Sequence, residues 1–423
     1  MKKIISALIA VATAVSTMVP VMAKDTFSDV NGNYAWAKEY VEDMAERGLI
    51  SGYTDGTYRP GIDVSRMDAF SLFARLLGSN NEANEEVVGV AKKEYESVLK
   101  DYKLTYAEDD IAFLLYRGII TEKELDKYFA GTKKTEAMPR YEAAILITKA
   151  MLAEDEAGNE VLIDMDYTDV SEIPKEAKQY VYYVTQKGIM SGTGDEKFSP
   201  NTPVQRGQIA VMLSKTANSA NYYFEVTKLE DVDPDANNIK ISDYDAEIGY
   251  SKDTVIFKDG EIVEDSELLP GQTVVLTYSE SDSDVRVVYI DIVATEVTDT
   301  LAVIYKGYSS SGGTLTVSAE DPVTGDTAQY ECSPNAIITI GGEVLNINKV
   351  KAAEYVTLGF AGDVVIEITS LSKTQTIRNA KLTGISPEGK ITISHEDKEY
   401  DGMTYAFSRD VNFTKDGDVA EFS

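Results

Sequence analysis

Gly48-Leu49-Ile50-Ser51-Gly52-Tyr53-Thr54-Asp55-Gly56-Thr57-Tyr58-Arg59-Pro60, followed closely by Val64-Ser65-Arg66, is the stretch on which the fold turns. It is a run of turn-forming residues between two segments of helical periodicity. Before it, Trp36, Tyr40 and Met44 share one helical face, with Ala37, Val41 and Ala45 beside them. Gly48 is placed to stop that helix as a C-cap. After it, Ser65 stands at the N-cap of a second helix, with Asp68 as its capping-box partner. Phe70, Leu72, Phe73, Leu76 and Leu77 give this second helix a wide apolar face. Neither short helix can bury such a face alone, so the unit requires neighbours of its own kind.

The neighbours are in the sequence. Phe27-Ser28-Asp29-Val30 recurs 140 residues along as Tyr167-Thr168-Asp169-Val170, and the register then holds without a gap for about forty residues. Gly188-Ile189-Met190-Ser191-Gly192, Asp195, Phe198-Ser199-Pro200 and Val204-Gln205-Arg206 repeat the first copy in order. A degraded copy lies between them. There Tyr106-Ala107, Ile111 and Gly118-Ile119-Ile120 follow the first helix, and Met138-Pro139-Arg140-Tyr141-Glu142 opens the second. Its connecting loop is four residues longer and lacks the Gly-Tyr-x-Asp-Gly-Thr sequence.

This triplet resembles the S-layer homology (SLH) domain family over roughly residues 25–219. The resemblance rests on the aromatic-Asp-Val entry, the Gly-rich loop with its Asp and the Phe/Tyr-x-Pro exit. The closing Ile-Thr-Arg-Ala-Glu motif reads here Val64-Ser65-Arg66-Met67-Asp68, Met138-Pro139-Arg140-Tyr141-Glu142 and Val204-Gln205-Arg206-Gly207-Gln208. It implies a helical pseudo-threefold arrangement with ligand grooves between lobes. The implied ligand is a secondary cell-wall polysaccharide, often carrying pyruvate ketals.

The residues suit such a ligand. A pyruvylated sugar carries a carboxylate that the planar fork of Arg can bond through both oxygens. Arg66, Arg140 and Arg206 stand at helix N-termini, where free N–H groups and the helix dipole add to the attraction. Ser65 belongs to the same motif, Gly52 and Gly192 permit close backbone approach, and Trp36 offers a flat face to ring C–H groups. Glu176 replaces Trp36 in the third copy and would repel a carboxylate, so the grooves are expected to be unequal.

Outward from the repeats, Lys2 and Lys3, the apolar run Ile4–Met22 and small residues up to Ala23 read as a secretory signal peptide over residues 1–23. No membrane insertion is expected after its removal. Net charge is −31, from 71 acidic and 40 basic residues, a balance that argues against nucleic-acid partners. Leu269-Pro270-Gly271-Gln272-Thr273 lies mid-chain and is not read as a wall-sorting signal, so attachment is expected to be non-covalent. Cys332 is alone and His395 is the only His, which leaves nucleophilic triads almost no raw material. Asp29-Val30-Asn31-Gly32-Asn33 and Asp231-Val232-Asp233-Pro234-Asp235 both fail the calcium-loop pattern, with Tyr40 and Ser242 where a bidentate Glu belongs. No catalytic residue, metal or cofactor is expected.

From Asn221 the texture changes to alternating Val, Ile, Thr and Tyr between Gly, Asp and Asn. Ser251-Lys252-Asp253, Asp259-Gly260-Glu261 and Val274-Val275-Leu276 recur 82 residues later as Ser333-Pro334-Asn335, Gly341-Gly342-Glu343 and Val356-Thr357-Leu358. A third copy begins at Ser408-Arg409-Asp410 and Asp416-Gly417 and stops short of its closing strand. Lys258-Asp259-Gly260 and Lys415-Asp416-Gly417 read as hairpin turns.

The expected architecture is multidomain, α then β: SLH repeats over 24–80, 81–155 (divergent) and 160–220, then β units over 221–298, 299–370 and a truncated 371–423. The β units are expected to be antiparallel and barrel- or sandwich-like, with a weak resemblance to modules that often follow SLH triplets. The expected role is a secreted cell-wall or S-layer surface protein, not an enzyme. Its expected partners are a secondary cell-wall polysaccharide and other copies of itself. An enzyme of wall-glycan turnover on the same anchor, and an anchor for modified peptidoglycan beneath an outer membrane, are the alternatives.

Overall fold

The computed structural model describes residues 27–423 apart from 160–164, 243–245, 281–284, 312–313, 323, 341–342, 371–376, 378, 387–389, 399, 407–412, 416–417 and 421–423. The signal-peptide segment 1–23 lies outside the described residues. So do Ser408-Arg409-Asp410, Asp416-Gly417 and Gly341-Gly342 of the β repeat. The chain forms two compact units. One gathers most of the chain up to Val293; the other holds Ala294–Ser423 with the short segments Leu229–Val232 and Leu269–Gln272.

Among the described residues the first unit opens with nine α-helices: α1 (Lys38–Glu46), α2 (Arg66–Leu76), α3 (Glu85–Leu99), α4 (Glu108–Tyr116), α5 (Glu122–Tyr128), α6 (Arg140–Ala150), α7 (Glu154–Gly158), α8 (Lys178–Gln186) and α9 (Arg206–Ala220). Three of them, α2, α6 and α9, begin at the repeated Arg, and their entry strands meet. Val64 N–H donates to Val204 O at 2.8 Å, Val204 N–H to Met138 O at 2.9 Å, and Met138 N–H to Val64 O at 2.8 Å. A second cycle closes two residues on, in the opposite sense. Arg66 N–H donates to Glu136 O, Arg140 N–H to Thr202 O and Arg206 N–H to Ile62 O, at 2.8–3.1 Å. All three ring residues are buried, so each bond is protected from water.

Apolar residues of several helices converge beneath this ring. Of the first-helix face read from the sequence, Ala37, Val41 and Met44 are buried there, whereas Trp36 is exposed in a 3-10 turn, Gly32–Ala37, ahead of α1 and Tyr40 stays outside the core. Val41 and Met44 of α1, Phe70 and Phe73 of α2, Ile111 and Leu114 of α4 and Ile209 and Leu213 of α9 lie in one continuous core. Ser65 caps α2 by accepting from Asp68 N–H, and Gly48 leaves α1 at φ +71°, as the sequence predicts. Helix α9 ends at Asn221, whose left-handed φ of 45° caps it and turns the chain directly into the first strand.

Seven strands follow: β1 (Tyr222–Asp233), β2 (Asn238–Ile241), β3 (Ala246–Gly249), β4 (Val255–Lys258), β5 (Glu261–Val263), β6 (Gln272–Glu280) and β7 (Val285–Thr295). They form a sheet ordered β3-β2-β1-β6-β7-β4-β5. Hairpin β4–β5 turns at Asp259-Gly260 with Lys258 opposite Glu261. Both turn residues have positive φ, 51° and 91°, the geometry that Asp-Gly favours in a two-residue turn. Strand β4 then pairs in parallel with β7.

The second unit contains β8 (Asp299–Ser311), β9 (Thr314–Glu320), β10 (Thr327–Ile340), β11 (Glu343–Val344), β12 (Tyr355–Ala361) and β13 (Val364–Ser370). Strands β8, β9, β10, β13 and β12 pair in a closed cycle, a five-stranded barrel. The β units are not purely antiparallel as expected: among the described residues one pairing in that barrel, β10 to β13, is parallel, as is β4 to β7 in the first sheet, because β10 and β4 each meet a later strand besides their hairpin neighbours. Cys332 lies in the barrel core, and burial pushes its thiol up to about 11. It is a packed small side chain rather than a reactive one. Beyond it lie a three-stranded sheet, β14 (Lys381–Ser386), β15 (Lys390–Ser394) and β16 (Thr404–Ala406), and the pair β17 (Phe413–Lys415) and β18 (Asp418–Ala420). Helices then strands is the order expected.

Because Met138 is buried within the hydrogen-bonded ring, Met138→Ala should lower stability by about 2–5 kcal/mol. Urea denaturation followed by Trp36 fluorescence measures it.

Candidate functional site

Two acidic residues shape the loops that flank the repeated Arg. Asp29 accepts from Tyr58 N–H and Arg59 N–H, each at 2.8 Å. Asp169, 140 residues on, accepts from Phe198 N–H at 2.9 Å and Ser199 N–H at 2.8 Å. Arg59 and Ser199 are held at φ 59° and 57°, a left-handed conformation that non-glycine residues adopt at a cost. The paired hydrogen bonds from one carboxylate offset that cost and fix the loop exits. This role of the aromatic-Asp-Val motif was not anticipated in the sequence, although the recurrence of the Asp in register was the signal for it.

The three Arg candidates are all at inter-segment junctions, but their surroundings differ. Arg206 donates through Nε to Tyr58 O at 2.8 Å and through Nη2 to Ser51 O at 3.0 Å. Arg140 makes the matching bonds to the third loop, to Phe198 O at 2.9 Å and Ser191 O at 2.6 Å. Arg140 is only 4% exposed, and burial draws its pKa down. The middle segment offers no such loop to Arg66. That side chain takes Glu142 instead, through Nε at 2.6 Å and Nη2 at 3.0 Å, and Glu136 through Nη1 at 2.9 Å. Glu142, itself buried, stands where the other copies carry Asp68 and Gln208.

The faces beside these Arg residues differ as well. Trp36 is 49% exposed and leans on the start of α9. A Cβ at Gly207 would stand 3.2 Å from its Cη2, so glycine there permits the approach. At the equivalent position beside α2, Tyr106 donates its hydroxyl to Asp68. Beside α6 the equivalent is Glu176, in the short 3-10 turn Lys175–Ala177. Next to Arg206, Tyr53 lies with the Arg59 guanidinium 3.8 Å and the Arg206 guanidinium 5.3 Å from its ring centre. Arg206 also lies 4.4 Å from the Tyr58 ring. Arg59 and Tyr53 were not among the residues singled out in the sequence.

Gly52 and Gly192 have a structural explanation of their own. A Cβ on Gly52 would meet the Phe27 ring and Thr57 O, and one on Gly192 would meet Lys197 O and the Tyr167 ring. Ser65 is occupied as the cap of α2, bonded to Asp68. Among the described residues no grouping of three His, Cys, Asp or Glu is arranged to hold a metal, and no helix is long and apolar enough to cross a membrane.

Set against known proteins, residues 26–70 and 166–210 match the S-layer homology domain. The two matched segments are the first and third copies. Among curated relatives, the chain is 27% identical over 251 residues to the "Surface-layer 125 kDa protein" of Lysinibacillus sphaericus, covering 57% of this chain and 19% of that one. It is 26% identical over 199 residues to "Exoglucanase XynX" of Acetivibrio thermocellus, covering 46% and 16%. Over 51 residues, 12% of this chain and 6% of the other, it is 47% identical to "Outer membrane protein SlpA" of Thermus thermophilus. The chain thus spans under a fifth of the length of these relatives.

Asp55 ties the loop tip together. It accepts from the Thr57 hydroxyl at 2.6 Å and from Arg59 Nη2 at 2.9 Å, and these bonds, Thr57's first, hold its carboxyl down at about 2. With a depressed folded-state pKa, its contribution is present above the ordinary carboxylate value and lost as pH falls through about 2. Carboxyl-carbon NMR should therefore find Asp55 titrating near 2, with Thr57→Ala returning it toward the ordinary value.

Proposed function

We propose that residues 24–220 are a non-covalent cell-wall anchor: three SLH repeats, 24–80, 81–155 and 160–220, set about a pseudo-threefold axis and binding an anionic secondary cell-wall polysaccharide. The observation that carries this reading is the junction at Arg206. There a cation bonded only to backbone carbonyls, an exposed aromatic face and a second Arg lie together. Arg206 Nη1 has no partner among the described residues, and no carboxylate bonds the group.

The other two junctions are poorer in what an anionic sugar needs. Arg66 is neutralised by Glu142 and Glu136, and Arg140 is buried with Glu176 in the place of Trp36. In a chain of net charge −31, a carboxylate ligand must be captured by local cations against the overall field. The Arg206 junction is the place suited to it. A pyruvate ketal would meet Arg206, with Arg59 beside it already paired with Asp55, and the sugar ring would lie on Trp36.

We further propose that the segments 221–298, 299–370 and 371–423 are β modules serving as spacers or in surface-layer assembly, without enzymatic activity. The S-layer relative supports this placement at the cell surface. One relative favours a second reading, because a 51-residue segment 47% identical to this chain belongs to a protein named as an outer membrane protein. On that reading the same junction would take modified peptidoglycan.

Co-sedimentation of the full chain with purified cell walls tests both. Trp36→Ala should weaken binding about tenfold, the scale of one aromatic or charge-assisted contact. Tyr106→Ala, at the matching exposed position, should leave it unchanged. Equal losses from both changes would contradict the assignment to one junction. Extracting the secondary polysaccharide should abolish binding, whereas retention would favour peptidoglycan.

A further inference from the structure

The middle segment has lost the loop that serves the Arg at the other two junctions, yet it keeps an Arg just before its Gly-Ile-Ile. Arg117 occupies the position of Arg47 in the first copy and Lys187 in the third. Those two are exposed surface cations, bonded to Asp43 and Glu156. Arg117 is instead sealed from solvent: its side chain is 0% exposed, and its Nη1 donates to Asp291 Oδ1 of strand β7 at 2.8 Å, with Asp291 2% exposed.

Around the pair stands a cage of rings from both sides of the helix–sheet boundary. The Arg117 guanidinium lies 4.4 Å from the Tyr289 ring centre, 5.0 Å from Phe113, 5.4 Å from Phe257 and 5.5 Å from Tyr116. Tyr116 of α4 stacks on Phe257 of β4 at 4.5 Å, and its hydroxyl donates to Asp291 at 3.3 Å. Phe257 and Asp291 are register partners across the parallel β4–β7 pairing, so the sheet presents ring and carboxylate on one face. Elsewhere along the boundary Tyr222 of β1 donates to Ala150 O at the end of α6, at 3.0 Å. Phe257, Val275, Val288 and Tyr289 belong to the same core as the helices.

A buried ion pair adds little net stability over an apolar replacement, but removing one partner leaves a desolvated charge and is strongly destabilising. Its effect is therefore on geometry. A strand slip of one residue would turn Asp291 to the other face of β7 and leave the Arg117 charge without its carboxylate, with only Asn84 Oδ1 at 3.4 Å from Nη2.

We propose that the middle segment is a docking surface for the chain's own first sheet, with Arg117–Asp291 as the clamp. Helices and first sheet then open as one cooperative unit, and no hinge separates the wall-binding region from the first β module. The inference does not depend on which glycan is bound.

Hydrogen exchange of the full chain under graded urea, read on peptides of α4 and β7, tests it. In the unaltered chain both peptides should share one opening step with the same urea dependence. Asp291→Leu should cut protection of both by about a hundredfold or more, and R117M combined with Asp291→Leu should recover most of it. Two separate opening steps in the unaltered chain would overturn the proposal without any variant having to fold. Loss confined to β7, or a double variant no better protected than the single one, would overturn it as well.

Discussion

The closed cycle of three backbone hydrogen bonds among Val64, Met138 and Val204 is the constraint on which the rest of the first unit depends. Each of these residues donates to one neighbour and accepts from the other, so no bond can be lengthened without disturbing the remaining two. The cycle sets where α2, α6 and α9 start, and with them where the three repeated Arg side chains emerge. It also brings together loops separated by up to 140 residues. Every junction described above inherits its geometry from that point, and the differences among junctions come from the side chains that face each Arg.

That division explains what was legible in the sequence. Helix faces, the Gly48 stop, the Ser65 cap and the Asp259-Gly260 turn depend on local rules and were readable from residue type and spacing. The order of helices before strands was readable in the same way. The fates of the Arg residues depended on what lay opposite. Glu142 disarms Arg66, which keeps only one carbonyl of the longer middle loop, Lys133 O, and turns its other donors to Glu142 and Glu136; nothing in the spacing of the motif expresses that. Gly52 and Gly192 were read as room for a ligand, whereas Phe27 and Tyr167 already occupy the space. Tyr53 and Arg59 escaped notice because their pairing arises from a left-handed residue held by Asp29, thirty positions away. The recurrence of Asp29 as Asp169 was visible, but its meaning required the loop exits to be seen.

In the β region the sequence offered alternation and an 82-residue recurrence. Neither conveys that a hairpin strand pairs in parallel with a later one, β4 with β7 and β10 with β13. Parallel neighbours need a crossover, and a crossover leaves no local mark. Barrel closure in the second unit likewise follows from β12 reaching β8, a pairing across more than forty residues that no period reveals.

The hydrogen-bonded cycle has a consequence in time. A chain emerging amino end first, from a ribosome or a translocation channel, can form the Asp29 clamp early, because its partners lie about thirty residues on. The cycle itself must wait until Val204 is out. Until then the face of α1 that packs on α9 has nothing to cover it, and the entropy of closing so long a loop has yet to be recovered. Folding of this region is thus held back by topology rather than by weak local preference. A chain threading a membrane in extended form would stay open until its third segment had passed through.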